Sequence, residues 1–145
     1  MALNEGMFTS NNNGYETPQW LFDHFNSLFH FDLDVCADES NSKCKYYYNI
    51  KDNGLEKEWE KRNWMNPPYG REIVDWIKKA YEESKKGKLV VCLIPSRTDT
   101  QWWHKYITKA DSIHFIKGRL KFIQNNSAPF PSCIVIFGLY NYKRG

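Results

Sequence analysis

At 145 residues the chain has the length of one ordinary domain, able to bury about two-thirds of the surface its unfolded form exposes, and it needs no second one. No apolar run approaches membrane-spanning length and the N-terminus lacks the apolar stretch of a secretion signal, which excludes a helical membrane protein and leads us to expect a cytoplasmic one. The formal charge is only +3, while six Trp, nine Tyr and nine Phe exceed what a core of this size requires, so a polyanionic partner is admitted and rings are available for stacking.

Residues 1–14, ending in Ser10-Asn11-Asn12-Asn13-Gly14, are polar and read as a mobile segment ahead of one domain over 15–145. Thr17-Pro18 offers a helix N-cap followed by proline at the first helical position, and Leu21, Phe22, Phe25, Leu28 and Phe29 recur at helical spacing. Residues 31–37, FDLDVCA, read as a short strand entering a polar loop, and 44–50 as a second, aromatic strand. Asp52-Asn53-Gly54 is a turn. Residues 63–65 make a third strand, which delivers the chain to Asn66-Pro67-Pro68-Tyr69.

Two adjacent prolines fix φ twice and remove two backbone donors, so 66–69 is a stiff, solvent-facing corner and not part of a strand or helix. Ile73, Trp76, Ile77, Ala80 and Tyr81 then mark a helical face closed by Lys85-Lys86-Gly87. LVVCLI at 89–94 is a continuous apolar run of the kind buried on both faces of a parallel sheet, and Pro95 ends it. Residues 99–110 carry Trp102, Trp103, Tyr106, Ile107 and Ala110 at helical spacing; strands follow at 112–116 and 133–140, with a loop at 124–131 between them. Strands alternating with helices predict an α/β sheet, largely parallel, with helices on both faces.

The four cysteines, Cys36, Cys44, Cys92 and Cys133, form no CxxC pair and read as reduced, small hydrophobes, not as a metal site. Lysines cluster at 78, 79, 85, 86 and 88, on a helix where a solvated face is the plain reading. Basic residues cluster again at Lys117, Arg119 and Lys121. In an α/β sheet, ligands bind outside the carboxyl ends of the strands, near the point where strand order reverses. The corner at 66–69, Cys36-Ala37-Asp38 and Pro95-Ser96-Arg97-Thr98 all follow strands and share that rim.

Asn66-Pro67-Pro68-Tyr69 matches the NPPY motif of S-adenosylmethionine-dependent amino methyltransferases. The ordered set YETPQWLFDHF, FDLDVCAD, KDNGLEKEW, NWMNPPYG, GRLKF and PSCIVIF resembles small phage-type DNA adenine-N6 methyltransferases. The resemblance implies a class I, Rossmann-like methyltransferase fold in one compact domain with no separate target-recognition domain. It further implies S-adenosylmethionine as methyl donor, DNA as partner, no metal, and protection of phage DNA from restriction in the host cytoplasm. The Asn66 side-chain oxygen and the Pro67 carbonyl would accept hydrogen bonds from the adenine amine, keeping electron density on a nitrogen whose lone pair is otherwise delocalised. Tyr69 would stack on a flipped base while Pro68 fixes the angle between edge and face recognition.

On the cofactor side, Thr17 and Pro18 resemble a segment near the methionine carboxylate; a plain helix cap fits them equally. Asp34, Cys36 and Ala37 occupy the place of the turn under the cofactor, without the glycine-rich pattern common in methyltransferases. Asp38 there is either a cofactor contact or a loop acid. Asp52, at the end of a predicted strand, resembles the acid that receives the cofactor adenine's amine, with an Asx turn as the other reading. Phe122 resembles an aromatic beside the target base, although alternation with Leu120 also makes it core. Arg119 and Lys121 flank it with charge suited to phosphates, and Arg97 either faces DNA or makes a structural pair. Target choice would come from loops 96–101 and 124–131, from a partner subunit, or be loose. The same corner also serves enzymes acting on RNA adenine or protein glutamine. The missing glycine pattern motivates one rival outside enzymes, a nucleic-acid-binding module without catalysis.

Overall fold

Leu21, Phe22, Phe25 and Phe29 fall on one face of helix α1 (Gln19–Phe29), and burying that face against a sheet is what holds the helix. Leu28, at the same spacing in the sequence, turns out to solvent at 51% exposure. The computed structural model describes residues 15–123 and 127–144. The expected mobile segment 1–14 and the start of the 124–131 loop lie outside them. After α1 come β1 (Leu33–Asp34), β2 (Tyr46–Tyr47), β3 (Arg62–Met65), α2 (Ile73–Lys85), β4 (Leu89–Pro95) and α3 (Gln101–Tyr106). A 3₁₀ turn (Ile107–Lys109) continues α3; then β5 (Ser112–Phe115), β6 (Ser132–Phe137) and α4 (Leu139–Arg144) complete the order.

The strands form one sheet in the order β2-β1-β3-β4-β6-β5. The first four are mutually parallel, and β6 runs antiparallel to both its neighbours, so the sheet is mixed with one strand reversed. The chain moves outward from β1 to β2 and then crosses back to β3 on the other side of β1. The order therefore reverses between β1 and β3, and the loops leaving those two strands carry Cys36 and Asn66. β4 is buried throughout, as its apolar run requires. Val90, Cys92 and Ile94 pack with α2 and α3 on one face, while Val91 and Leu93 pack with α1, Phe122 and Phe130 on the other.

Four expectations change. β1 and β2 are two-residue strands inside longer extended runs, because the Asp34 carboxylate takes the N–H groups of Cys36 and Lys43 and turns the chain out of the ladder. The last strand stops at Phe137, and Leu139–Arg144 is helix instead of strand. Gly138, at φ +79°, makes the break, since a Cβ there would run into the Lys88 carbonyl. Pro18, not Thr17, is the N-cap of α1. Finally, the first lysine cluster is a solvated face only in part: Lys78 and Lys85 are exposed, but Lys79, Lys86 and Lys88 turn onto the buried Glu83 carboxylate at 3.1, 3.0 and 2.6 Å.

Candidate active site

Asn66 leaves the end of β3 and is 6% exposed. Its Nδ2 donates to the Tyr15 carbonyl at 2.7 Å and to Thr17 Oγ1 at 3.0 Å; its Oδ1 accepts from the Tyr69 hydroxyl at 2.7 Å. A carbonyl only accepts, so the atom facing Tyr15 is the amide nitrogen and the oxygen is committed to the Tyr69 side. The corner expected to face solvent is covered instead. Pro67 and Pro68 are buried, and segment 15–17 crosses the corner through its bonds to Asn66.

Tyr69 is partly buried, and its hydroxyl proton is shared between Asn66 Oδ1 and the Leu93 carbonyl at 3.2 Å. Burial pushes the phenol well above its ordinary pKa, so it stays a donor at neutral pH. The ring stands in an aromatic cluster. Tyr15 stacks on it with centroids 5.3 Å apart and planes at 27°, and Phe130 and Phe122 meet it edge-on at 5.6 and 6.4 Å. Phe122 is 1% exposed and so is core and cluster wall at once. The Arg97 guanidinium lies 5.7 Å above the Phe130 ring, which places this arginine on the rim of the cluster. Arg119 and Lys121 are exposed on either side of buried Leu120.

On the other side of Asn66, at the switch between β1 and β3, lies a small recess of about 10 Å³, room for about one water molecule. Thr17, Asp34, Cys36 and Asn66 line it, together with Glu16, Asn41, Lys43 and Trp64. Asp34 is 3% exposed, and burial raises its carboxyl from 3.8 to about 7 against the lowering effect of the Lys43 and Cys36 N–H bonds. Lys43 is a buried lysine, its side chain 6% exposed, 3.7 Å from the Glu16 carboxylate and 3.0 Å from Gln19 Oε1. The indole N–H of Trp64 is buried with no partner among the described residues.

Not every expected residue joins this site. Pro18 and Ala37 serve the backbone, as helix cap and as donor to the Tyr48 carbonyl. Asp52 ends no strand: its carboxylate accepts from Asn49 N at 2.9 Å while its own N–H bonds the Asn49 side chain, a closed Asx turn. Asp38 similarly organises its loop through Ser40. A wider cleft of about 560 Å³ opens along β2, between Tyr46, Lys45, Asp32 and Glu60, and contains none of the expected residues. Among the described residues no His, Cys, Asp and Glu cluster suits a metal ion. No helix among them is long and apolar enough to cross a membrane. Tyr15, Phe130, Lys43 and Trp64 are the additions that folding makes to the sequence reading.

Asn66 thus presents its amide oxygen beside aromatic rings, next to a polar recess at the switch point of the α/β sheet. The chain matches the profile of the family described as DNA N-6-adenine-methyltransferase (Dam) over residues 7–133 and belongs to that family. It is 32% identical over 117 residues to a DNA N-6-adenine-methyltransferase of Haemophilus phage HP1, a match spanning 78% of this chain and 68% of the relative. It is 29% identical over 109 residues to a protein of the same description from Escherichia phage T1, a match spanning 73% of this chain but only 45% of the relative.

The two donations from Asn66 give Thr17 a defined role, because its hydroxyl holds the amide in the orientation that presents Oδ1. Thr17→Val keeps the shape and removes the acceptor. We expect it to lower kcat about tenfold, the scale of one buried hydrogen bond, with the KM for DNA little changed. Thr17→Ser should restore most of the rate. Equal kcat in Thr17→Val and wild type would show that Asn66 needs no such support.

Proposed function

We propose that this chain transfers a methyl group from S-adenosylmethionine to the N6 amine of adenine in DNA, on a base flipped out of the duplex, in a fold of the class I methyltransferase type. The observation that carries the reading is Asn66: one amide whose nitrogen is fixed by segment 15–17 and whose oxygen is thereby turned to the aromatic cluster. Family membership supports the substrate, and the reversal of strand order between β1 and β3 with a reversed β6 supports the fold type.

The lining of the recess carries the polar groups that the donor's amino-acid end calls for, and the recess must widen to admit it. A cationic sulfonium and ammonium call for acids, and Asp34 and Glu16 line the recess; a carboxylate calls for donors, and Lys43 and Thr17 line it too. S-adenosylmethionine supplies a methyl already activated on sulfur, and so the chain need only hold and orient. Asn66 Oδ1 and the Pro67 carbonyl accept the two N–H bonds of the adenine amine. With Asn66 Oδ1 and the Pro67 carbonyl holding the amine, its nitrogen would take the methyl from the sulfonium, the carbon–sulfur electron pair would stay on sulfur as a neutral thioether, and one proton would pass from nitrogen to solvent. Accepting those N–H bonds stabilises the positive charge that develops on nitrogen at the transition state. Tyr69 supports the face of the base, while Arg97, Arg119 and Lys121 meet phosphates.

Asp34 tests the recess. Its raised pKa means that below about pH 7 the carboxyl is protonated and offers a cation no charge. Affinity for S-adenosylmethionine should therefore rise with pH, by about tenfold from one unit below that pKa to well above it. Calorimetric titration across this range checks it. Asp34→Asn should bind weakly at every pH, with the slope gone; a wild-type affinity independent of pH would remove Asp34 from the cofactor site.

A further inference from the structure

Tyr69 is offered above as the stacking surface for the flipped adenine, yet in the free enzyme that surface is already covered. The Tyr15 ring lies on it at 5.3 Å between centroids, and Phe122 and Phe130 close the sides at 5.2 and 5.3 Å from the Tyr15 ring. A base inserted between two rings needs them about 7 Å apart, two contact layers of about 3.5 Å each. The observed spacing admits no base, so Tyr15 and a base stacked on the same face of Tyr69 exclude one another.

We propose that Tyr15 is the resident occupant of the base slot: its ring takes, in the free enzyme, the place on Tyr69 that the target adenine takes in the complex, and a base is admitted only by displacing it. The proposal rests on the reading that the base stacks on Tyr69. Three observations make the ring exchangeable. Its hydroxyl makes no hydrogen bond among the described residues, where the ring is held by its contacts with Tyr69, Phe122 and Phe130. Tyr15 is only partly buried, which leaves a way out. The backbone around it is pinned independently, the Tyr15 carbonyl by Asn66 Nδ2 and the Glu16 carbonyl by Ile123 N at 3.2 Å. Rotation about χ1 can therefore release the ring while the carbonyl continues to orient Asn66.

The consequence is selection among bases. A resident ring lowers the apparent affinity of any incoming base by the fraction of enzyme whose slot is open. A base must compete with a phenol for Tyr69. A purine, with two fused rings, has more face for that contest than a pyrimidine.

The test measures binding of a duplex pool with randomised flanks and one adenine opposite an abasic position, to wild type, Tyr15→Ala and Tyr69→Leu. Emptying the slot should tighten binding to Tyr15→Ala by about fivefold to a hundredfold, the range of one ring-stacking contact. Tyr69→Leu should bind more weakly than wild type. If Tyr69→Leu weakens binding while Tyr15→Ala binds as wild type or more weakly, the occupant role is overturned and the base reading stands. If Tyr69→Leu binds as wild type, the base does not stack there and both fall. Should Tyr15→Ala fail to fold, wild-type enzyme labelled with 3-fluorotyrosine decides the matter. The resonance missing from Tyr15→Phe should move toward that of solvent-exposed tyrosine on saturation with the same duplexes, and an unmoved resonance overturns the proposal.

Discussion

Asn66→Ala should slow methyl transfer by about a hundredfold or more in single-turnover assays with labelled S-adenosylmethionine, the scale of removing one preorganised polar partner from a developing charge. The structure sharpens what the variant removes. Besides the acceptor for the amine, it takes away the donor that the Tyr15 carbonyl and Thr17 Oγ1 share and the partner of the Tyr69 hydroxyl. Some loss of stability is therefore expected, about 1 to 3 kcal/mol for a buried group left without its partner, and the thermal midpoint should be read alongside the rate. Asn66→Asp separates the two effects. Its carboxylate still accepts from an amine and from Tyr69, but it presents an oxygen to the Tyr15 carbonyl, so it should hold the corner poorly. A rate for Asn66→Ala equal to wild type would take Asn66 out of the chemistry altogether.

The difference between what could and could not be read from the sequence lies in the range over which each feature is made. The corner at 66–69 was legible because its stiffness is local, set by two consecutive prolines. The helical faces of α1 and α2 and the apolar run of β4 were legible for the same reason. In the recess, Thr17, Asp34, Cys36 and Asn66 were reached through the family resemblance alone, and Lys43 and Trp64 not at all, since these residues meet only after the chain has gone out to β2 and returned to β3. Thr17-Pro18 carries the signal of a helix cap, and the tertiary bond to Asn66 took the hydroxyl for another use. At the C-terminus, LYNYKR carries no helical signal stronger than the strand before it; the positive φ of Gly138, where Lys88 passes close, decides the switch. Phe130 did leave a trace. It sits between Pro129 and Pro131, the same stiff framing of an aromatic that drew attention to Tyr69.

Lysines at 79, 86 and 88 show the largest gap between a linear charge run and its folded meaning, and they give the strongest prediction about stability. Glu83 is fully buried on α2, and it accepts from these three lysines and from Trp59 N at 3.0 Å; Glu58 bridges Lys86 and Lys88 from the outside. Burial alone would raise the Glu83 pKa, but the bonds from Lys88, Trp59 N–H, Lys86 and Lys79 outweigh it and hold the carboxyl at about 2, below its ordinary 4.5. A depressed folded-state pKa contributes stability that is complete above the unfolded value and lost as pH falls through the folded one. The network should thus be worth about 3 kcal/mol at neutral pH, and that contribution should decline between pH 4.5 and 2. Glu83→Gln should cost a similar amount at pH 7, near the lower end of what removing one partner of a buried pair costs, because Lys86 still reaches water. Urea unfolding of both proteins from pH 7 down to 3 checks it. The gap between the two stabilities should narrow as pH falls below 4.5, where the unfolded wild type takes up a proton that the folded Glu83 still refuses. A constant gap between them, or none at neutral pH, would mean that the lysines gain nothing from Glu83 that water does not also supply.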